Sequence, residues 1–324
     1  MGYKIGSFNL HNLGDTALKQ ENPRNLKRIA QIIKQEHFDI VALQEVLKEG
    51  EAFYSEKEYQ KKTILMELGG TDQWDFAWAR ANGKSSDPRA EGYAFVWNKK
   101  RIKLSTYKEL TQFGSVEKTC EYEPRMIGSD LLFGREVLYG RFCPINLPKV
   151  EFRLINIHTS PATSKEELDI IIRQIYPRIE DEQIKEHNRC GKVYTLILGD
   201  YNVQLRRDWK VIINRFLGKS VKYLDADDDD IIIANDWNGK RIKTVQEEPT
   251  TLPQKDEDIN GKNTEYRDYV NDFDHFSYDI DQFNGVHLFY DRVDAVAGYY
   301  NNNFDLYRDE ISDHIPISIT IDFK

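Results

Sequence analysis

The sequence predicts a strand-rich α/β (α+β) protein, and three observations lead to this prediction. Short apolar segments of strand length recur along all 324 residues. A few amphipathic helical segments separate them, without an internal repeat. Hydrophobic residues make up 40% of the chain and are spread from end to end, so a core can be buried along its whole length. No linker divides the chain, and we predict one domain over residues 1–324.

The N-terminal unit shows both patterns. KIGSFNL is an apolar strand, Asn22 and Pro23 supply a helix cap and first-turn proline, and the apolar residues from Leu26 to Ile33 recur on one helical face. DIVALQEV follows as a second buried strand that ends at Glu45. Further strands are predicted at 93–97, 137–145, 152–157, 193–198, 288–297 and 315–321, and helices at 63–68, 165–183 and 207–217.

The stretch from 225 to 281 has a different composition. It contains DADDDD and then many acidic residues interspersed with Pro, Gly and Asn. Such a composition predicts a solvated insertion into the domain. A calcium-binding loop is the more specific alternative, but the carboxylate spacing does not match that of an EF-hand.

Composition excludes several classes of function. No apolar run reaches the roughly 18 residues of a membrane span, and the N-terminus enters a strand without an apolar signal region. We therefore expect no membrane span and a cytoplasmic protein, or a secreted one whose signal has been removed. Three scattered cysteines are too few for a disulfide framework or a zinc site. The sequence carries no indication of oligomeric state.

The formal charge of −9 argues against a protein that holds nucleic acid on a broad basic surface. A phosphodiester substrate is still compatible with this charge, because a bound divalent cation can be the largest local charge in a site. An anionic substrate would therefore imply a metal.

The segment TLILGDYNVQ places Asp200 and Asn202 at the end of an apolar strand. Their spacing of two residues sends both side chains to one face of the strand. An Asx-type turn explains such a pair without any function. Asn156 and His158 in LINIHTSP have the same spacing at the end of another strand.

Polar side chains of the same kind follow many of the apolar strands. They are Asn9, Glu45, Glu91, Asn156, His158, Asp200, Asn202, Asp313 and His314. One ionisable group at one strand end means little, but carboxylates, amides and two histidines at so many ends predict one pocket built on a rigid sheet.

These motifs resemble those of the endonuclease/exonuclease/phosphatase family, and in particular its deoxyribonuclease I-like branch. SFNL, LQEV, EGYAFVW, FGRE, INIHTSP, GDYN, YDRVDAV and SDHIPI occur in the family's order over nearly the whole chain. The resemblance implies a four-layer αββα sandwich, with two mixed β-sheets flanked by helices. It also implies a divalent-metal-dependent phosphoesterase.

The resemblance also implies a metal site. Glu45 would be the metal-binding carboxylate, with Asn9 and Asp313 beside it. Hard oxygen ligands suit Mg²⁺, which usually relies on one or two carboxylates, waters and substrate phosphate oxygens. Mn²⁺ would serve similarly, and Ca²⁺ is a further alternative.

Roles in catalysis follow from the same resemblance. His158 would be a general acid or base held by Glu91, and His314 would be held by Asp291. Asp200 and Asn202 would orient the attacking water and hold a phosphate oxygen. Phosphate would also be bound by Asn156 and, through charge-assisted hydrogen bonds, by Arg135.

The partner of His314 is open at this point. FYDRVDAV offers both Asp291 and Asp294, and an offset of three residues puts them on opposite faces of a strand. The YDR context of the deoxyribonuclease I-like branch favours Asp291.

We expect the protein to be a metal-dependent phosphodiesterase, most simply an endonuclease whose partner is nucleic acid, probably DNA. The alternative is a phosphatase or phospholipase-type phosphoesterase acting on an inositol phosphate, a lipid or another small ester. GDYNVQLR resembles a stretch of inositol polyphosphate 5-phosphatases, but FYDR lacks the Trp and Cys of their signature. A non-catalytic binding module is the third reading, although every expected metal or catalytic position is filled.

Overall fold

A computed structural model describes residues 2–14, 24–47, 52–53, 63–81, 91–110, 117–129, 136–179, 191–204, 231–234, 241–245, 248–252 and 269–323. Arg135 and the predicted helix at 207–217 lie outside these ranges. Strands and helices are numbered below in chain order.

Two mixed sheets form the centre of the molecule. The first sheet has the spatial order β15 (His287–Arg292), β16 (Ile317–Asp322), β1 (Gly2–Leu13), β2 (Ile40–Val46), β4 (Gly92–Asn98) and β3 (Trp74–Arg80). The second has the order β12 (Ile231–Ala234), β13 (Arg241–Val245), β14 (Asp274–Asp279), β11 (Lys192–Asp200), β10 (Val150–His158), β9 (Val137–Pro144) and β5 (Ile102–Leu104), and β8 (Arg125–Ile127) also pairs with β9. A separate hairpin joins β6 (Thr106–Leu110) to β7 (Glu117–Glu121).

Each large sheet contains one central parallel pair among antiparallel neighbours. β1 and β2 run parallel in the first sheet, and β10 and β11 run parallel in the second. Parallel strands bring their carboxyl ends to the same edge of a sheet. The polar residues that follow β1, β2, β10 and β11 therefore collect at common edges.

In the described part of the chain, helical segments cover the outer faces. They are α1 (Leu26–Gln35), α2 (Ile64–Leu68), α3 (Ser164–Ile170, continued by a π-helical turn at Ile171–Ile175), α4 (Ala295–Tyr300) and α5 (Phe304–Glu310). Helix α1 begins after Asn25, whose side chain accepts a hydrogen bond from Arg28 N at 3.1 Å. The cap predicted at Asn22 and Pro23 lies outside the described residues.

Three apolar clusters define four layers. The largest cluster packs α1, α2, α4 and α5 against the outer face of the first sheet. A second cluster fills the space between the sheets, and a third packs α3 against the outer face of the second sheet. Alternate strand residues supply the two faces of each sheet, since the side-chain period of a strand is two. The predicted αββα sandwich is confirmed.

Two predictions from the sequence need correction. The strand expected at 288–297 ends at Arg292, because Asp294 caps α4 by accepting a hydrogen bond from Ala297 N at 3.1 Å. The stretch at 225–281 is not simply a solvated insertion, because three strands lie within it. Its last strand, β14, is buried throughout and pairs with β11 in the centre of the second sheet. The acidic composition of this stretch does not indicate the core strand β14 that it contains.

Within the described ranges, no helix has the length and apolar character needed to cross a membrane.

Gly199 is required where β10 and β11 approach each other. Its φ is +145°, and a Cβ atom there would lie 1.9 Å from the carbonyl oxygen of Ile157. Both facts exclude an ordinary side chain, because the neighbour is backbone and cannot move without breaking the sheet. Gly199 thereby fixes the register that aligns the ends of these two strands.

We expect Gly199→Ala to lower the free energy of unfolding by about 3 kcal/mol or more, through the backbone clash and the unfavourable φ. Gly298→Ala in α4 is the matched control, since no atom lies within 4 Å of the position of its Cβ. The free energy of unfolding of that variant should be unchanged or slightly higher. Urea unfolding compares the two, and equal stability of both variants would contradict the assignment.

Candidate active site

Three ionisable residues form a row across the ends of three neighbouring strands. In the register of the second sheet, His158 of β10 lies opposite Asp200 of β11, and Asp200 lies opposite Asp274 of β14. All three are at most 7% exposed and share the strand face that contributes to the cluster between the sheets. Two carboxylates on adjacent strands repel each other unless a positive group lies beside them. The row therefore requires cations nearby.

The first sheet meets this row through Asn9 and Glu45. Asn9 Nδ2 donates to Glu45 Oε1 at 2.9 Å and to Asp200 Oδ2 at 3.0 Å. Glu45 has a left-handed φ of 55°, which interrupts the strand alternation at the end of β2. A non-glycine residue in this conformation costs of order 1–3 kcal/mol, which the hydrogen bonds of its carboxylate help to offset. Glu45 Oε2 also accepts from Asn12 N at 3.0 Å.

His158 lies between carboxylates on both of its nitrogen atoms. Its Nδ1 is 3.3 Å from Glu91 Oε2, and its Nε2 is 3.7 Å from Asp200 Oδ2 and 3.9 Å from Glu45 Oε1. Burial by itself lowers the pKa of His158, but the hydrogen bond with Glu91 and the charges of Asp200 and Glu45 outweigh burial and raise the pKa above 6.5. The predicted pairing of His158 with Glu91 is present in the structure.

His314 has a different partner from the one predicted. Its Nδ1 lies 2.8 Å from Asp274 Oδ2, and its Nε2 lies 3.6 Å from Asp200 Oδ2. The pairing with Asp291 is wrong, because Asp291 is exposed near the end of β15. The alternative Asp294 is also wrong, since it caps α4 and accepts a hydrogen bond from Tyr269 at 2.6 Å.

The setting of His314 favours its charged form. Burial alone would lower the pKa of its imidazole, but the charges of Asp274 and Asp200 raise it well above 6.5. His314 therefore supplies a cation beside the two carboxylates of the row. Thr250 Oγ1 also donates to Asp274 Oδ2 at 2.7 Å and so helps to fix the carboxylate that holds His314.

Asp200 and Asn202 form the Asx-type turn, and Asp200 also faces the other residues of the candidate site. Asn202 N donates to Asp200 Oδ1 at 2.9 Å, which is the Asx-type turn, and Asn202 has a left-handed φ of 48°. The other oxygen, Oδ2, faces Asn9 and both histidines. Burial raises the pKa of Asp200 above 3.8, against the opposing charges of His314 and His158. Asn202 Nδ2 donates to Thr159 O at 2.8 Å, so its amide fastens the loop after β10.

Asp313 lies at the edge of the site beside a histidine for which the sequence suggested no role. Its Oδ1 is 2.7 Å from His11 Nδ1. Burial would raise the pKa of Asp313, but the hydrogen bond with His11 and the charge of His314 lower it below its usual range. Arg24 donates to the backbone oxygen of His11 at 2.6 and 3.0 Å and holds this segment in place.

Asn156 is not placed to bind phosphate, contrary to the prediction. It is fully buried, its Oδ1 accepts from Gln44 Nε2 at 2.7 Å, and its Nδ2 donates to Leu43 O at 3.0 Å and Ala94 O at 3.2 Å. These bonds connect β10 of the second sheet to β2 and β4 of the first. Asn156 is therefore a link between the sheets beneath the site. Arg135, the other predicted phosphate ligand, lies outside the described residues.

Among the described residues, one cluster places its ligand atoms close enough together to hold a divalent cation. Asp200, Asp274 and His314 place one ligand atom each within 4.8 Å of one another, and Asp274 Oδ1 is buried without a hydrogen-bond partner among the described residues. Glu45 and Asp313 offer carboxylates that are 14% and 25% exposed. Such oxygen donors fit a hard cation. Asn9, in contrast, directs its amide NH₂ at the carboxylates, and its Oδ1 accepts from His11 N, which does not support the predicted role as metal ligand.

Three residues of the site were not predicted from the sequence: Asp274, Thr250 and His11. Asp274 and Thr250 belong to or border the acidic stretch that composition marks as solvated. A usable signal was present in DHFSYD, which alternates in the period of a strand. His275, the neighbour of Asp274, is buried, and its Nε2 lies 2.9 Å from Val203 O.

We expect Glu91→Gln to lower the pKa of His158, because the largest contribution that raises this pKa is lost. The raised pKa also means that the pair stabilises the fold fully below pH 6.5, and that this stability is lost as the pH rises through the raised value. NMR titration of the imidazole measures the shift, and the limb of any pH–rate profile that His158 controls should move to lower pH. Glu67→Gln on α2 is the control. An unchanged titration in Glu91→Gln would show that the 3.3 Å contact does not act on His158.

Comparison with known proteins identifies the fold. No protein-family model matches the chain, and a comparison with curated proteins gives no significant match. A crystal structure of an endonuclease/exonuclease/phosphatase from Bacteroides vulgatus matches with a TM-score of 0.50 and 15% identity, over 100% of both chains. A family protein from Bacteroides thetaiotaomicron matches with a TM-score of 0.49 and 15% identity, over 100% of this chain and 96% of that one. The human Nocturnin catalytic domain matches with a TM-score of 0.47 and 12% identity, over 100% of this chain and 94% of that one. At these identities the likeness concerns the fold, and this chain has the fold of the endonuclease/exonuclease/phosphatase family.

Proposed function

We propose that the protein is a divalent-metal-dependent phosphoesterase that hydrolyses phosphodiester bonds by in-line attack of water. One observation carries the proposal. The Nε2 atoms of His158 and His314 lie 3.7 and 3.6 Å from the same oxygen of Asp200, while the Nδ1 atom of each faces a further carboxylate. A carboxylate between two oriented imidazoles is the arrangement that general acid–base chemistry requires.

The three groups suit three tasks in phosphodiester cleavage. Asp200 has a pKa raised by burial, which makes its carboxylate a better proton acceptor for the attacking water than an exposed Asp. The charges of Asp274 and Asp200 raise the pKa of His314 well above its usual range, which favours the imidazolium form that would stabilise negative charge on the phosphoryl oxygens. His158 would act as the general acid that protonates the departing oxygen. Asn9 positions Asp200 by donating to the oxygen that faces both histidines.

A bound divalent cation would neutralise charge on the phosphoryl group and lower the pKa of a coordinated water. We assign Glu45 and Asp313 as its ligands, and Mg²⁺ as the metal that their hard oxygens suit best, with Mn²⁺ as a substitute. His11 lies against Asp313 at 2.7 Å, so this ligand is already oriented by a hydrogen bond.

DNA is the substrate that we propose first, with endonucleolytic cleavage as the reaction. The support is the pair of histidines held by Glu91 and Asp274, together with the motifs that resemble the deoxyribonuclease I-like branch. The net charge of −9 predicts weak DNA binding in the absence of metal. A small phosphate ester as substrate would use the same residues and is distinguished by the experiment below.

We expect the protein to nick supercoiled plasmid with Mg²⁺ and to lose this activity in EDTA. His158→Ala should reduce the rate by about 10²- to 10⁴-fold, the usual contribution of a general acid or base. His287→Ala is the control, because His287 is an exposed histidine at the N-terminal end of β15. Plasmid gels and bis-p-nitrophenyl phosphate turnover, each with Mg²⁺, Mn²⁺, Ca²⁺ or EDTA, measure the activities.

The outcomes separate the alternatives. Nicking that needs both metal and His158 supports the nuclease. Turnover of the small ester without nicking retains the phosphoesterase and moves its substrate to small or lipid phosphates. Activity that survives EDTA would contradict the metal requirement, and activity equal in His158→Ala and His287→Ala would contradict the assigned site.

A further inference from the structure

A second cavity lies at the opposite end of the first sheet from the candidate active site. It has a volume of about 550 Å³, which lies within the usual range for small-molecule pockets. Its lining includes Gly2 at the start of β1 and Asp39 just before β2, whereas Asn9 and Glu45 mark the other ends of these strands. Asp39 and Glu45 are six residue steps apart along extended chain, a distance of about 20 Å. The cavity is therefore distinct from the catalytic residues.

Basic side chains converge on this cavity from three parts of the chain. Lys4 comes from β1, Lys34 from the last turn of α1, and Lys100 and Arg101 from the turn after β4. The single carboxylate in the lining, Asp39, is already engaged, since it pairs with Arg101 and accepts from Lys4 N at 2.9 Å. The lining thus has a surplus of positive charge in a protein whose net charge is −9.

Contacts within the protein hold Lys100 and Lys4 in place, but they do not neutralise all of the positive charge of the lining. Lys100 Nζ donates to the amide oxygen of Gln73 at 3.0 Å, and Gln73 is itself fixed by its bond to Gly69 O at 3.2 Å. Lys4 Nζ lies 5.1 Å from the ring centroid of Phe38 and 3.3 Å from Glu36. Neither Lys34 nor Lys100 forms an ion pair with any described residue.

A structural explanation covers only part of this arrangement. Lys34 suits the C-terminal turn of α1, where a cation interacts favourably with the helix dipole. That accounts for one charge. It does not explain why Lys100, which has no carboxylate partner among the described residues, lines the same concave space as Lys34 and Lys4.

We propose that this cavity, the basic cleft, binds a small molecule through a chain of two or more phosphate groups. Lysine ammonium groups bind phosphate as point charges, whereas Arg101 is already engaged with Asp39 and Gly2 O. The ammonium groups of Lys4, Lys34 and Lys100 come from three different elements, and three such groups match an oligophosphate better than a single phosphate. The phosphate chain could be free or could belong to a nucleotide, and the chemistry recognised is the same.

The test is calorimetric titration of the full chain with tripolyphosphate, ATP and orthophosphate, in EDTA and at low salt. We expect tripolyphosphate and ATP to bind at one site, and orthophosphate to bind at least about tenfold more weakly. Lys34→Gln combined with Lys100→Gln should weaken tripolyphosphate binding by about tenfold or more. ATP that binds more tightly than tripolyphosphate would identify a nucleotide as the source, and equal affinities would identify the phosphate chain itself.

Lys99→Gln is the matched control. Lys99 is an exposed neighbour of Lys100 that does not line the cleft, and its Nζ donates to Thr71 O at 2.9 Å. A loss of affinity as large in Lys99→Gln as in the double variant would mean nonspecific attraction and would overturn the proposal. So would binding that is lost in His158→Ala and retained in the double variant, because the anion would then occupy the catalytic site. The double variant should retain wild-type phosphoesterase activity.

Discussion

His314→Ala is expected to lower kcat for phosphodiester hydrolysis by about 10²- to 10⁴-fold. The imidazole is the buried cation between Asp200 and Asp274, at 3.6 and 2.8 Å from their oxygens. Its removal leaves two adjacent buried carboxylates without the positive charge that compensates them. Asp200 would then take up a proton more readily, and it would lose its capacity to accept one from water.

Asp274→Asn provides the sharper comparison. The substitution keeps the shape of the side chain but removes the charge that most strongly raises the pKa of His314. We expect kcat to fall by about tenfold or more, and the pH–rate limb controlled by His314 to move to lower pH. Single-turnover rates over a pH series measure both effects, with His287→Ala as the control. A His314→Ala enzyme with wild-type kcat would exclude this residue from the chemistry.

The largest effect on stability is expected at Glu151, far from the chemistry. Arg141 and Arg153 lie directly opposite each other on β9 and β10, a pairing of like charges that is unfavourable by itself. Glu151 accepts from Arg141 at 3.1 and 3.0 Å and from Arg153 at 2.5 Å. All three side chains are at most 3% exposed. The carboxylate therefore compensates two buried guanidinium groups.

We expect Glu151→Gln to lower the free energy of unfolding by about 3–5 kcal/mol, the usual cost of breaking a buried ion pair from one side. Replacing all three residues with Met or Leu should cost less than this single substitution, because the charges of the triad are then removed together. Asp169→Asn is the control, since it removes a half-buried i,i+4 pair with Arg173 that is worth about 1 kcal/mol. Urea unfolding compares the variants. A Glu151→Gln protein no less stable than Asp169→Asn would contradict this account.

Much of the fold follows from local pattern. The strands around YAFVW, FRLINI and VYTLIL form as predicted, because alternating and continuous apolar runs need a sheet to bury them. The ends of these strands carry the residues that meet in the site. His158 and Asp200 are neighbours because β10 and β11 are parallel, and parallel pairing brings equivalent ends together.

The errors share a physical cause. The partner of His314 was sought in YDRVDAV, which has the right local residues, but β15 lies at the edge of the first sheet and exposes Asp291. Asp274 is the partner because β14 pairs with β11 over a separation of 74 residues in the sequence, between Asp200 and Asp274. No local periodicity reports such a pairing, and the acidic composition around β14 argued against it.

Asn9 and Asn156 show a second kind of limit. The sequence places both at strand ends, and an amide can bind a metal, bind phosphate or satisfy backbone groups. Which of these it does depends on the atoms opposite it. For Asn156 those atoms are Gln44 and two backbone carbonyls of the other sheet, and for Asn9 they are two carboxylates.

The sequence by itself determined the layered fold class, the strands and the polar residues at their ends, because these depend on short-range hydrophobic period and on side-chain chemistry. The tertiary structure decided which carboxylate holds which histidine, which amide links the two sheets and where positive charge collects on an acidic chain. Those choices depend on distances between segments far apart in sequence, and electrostatic and hydrogen-bond energies change steeply over such distances.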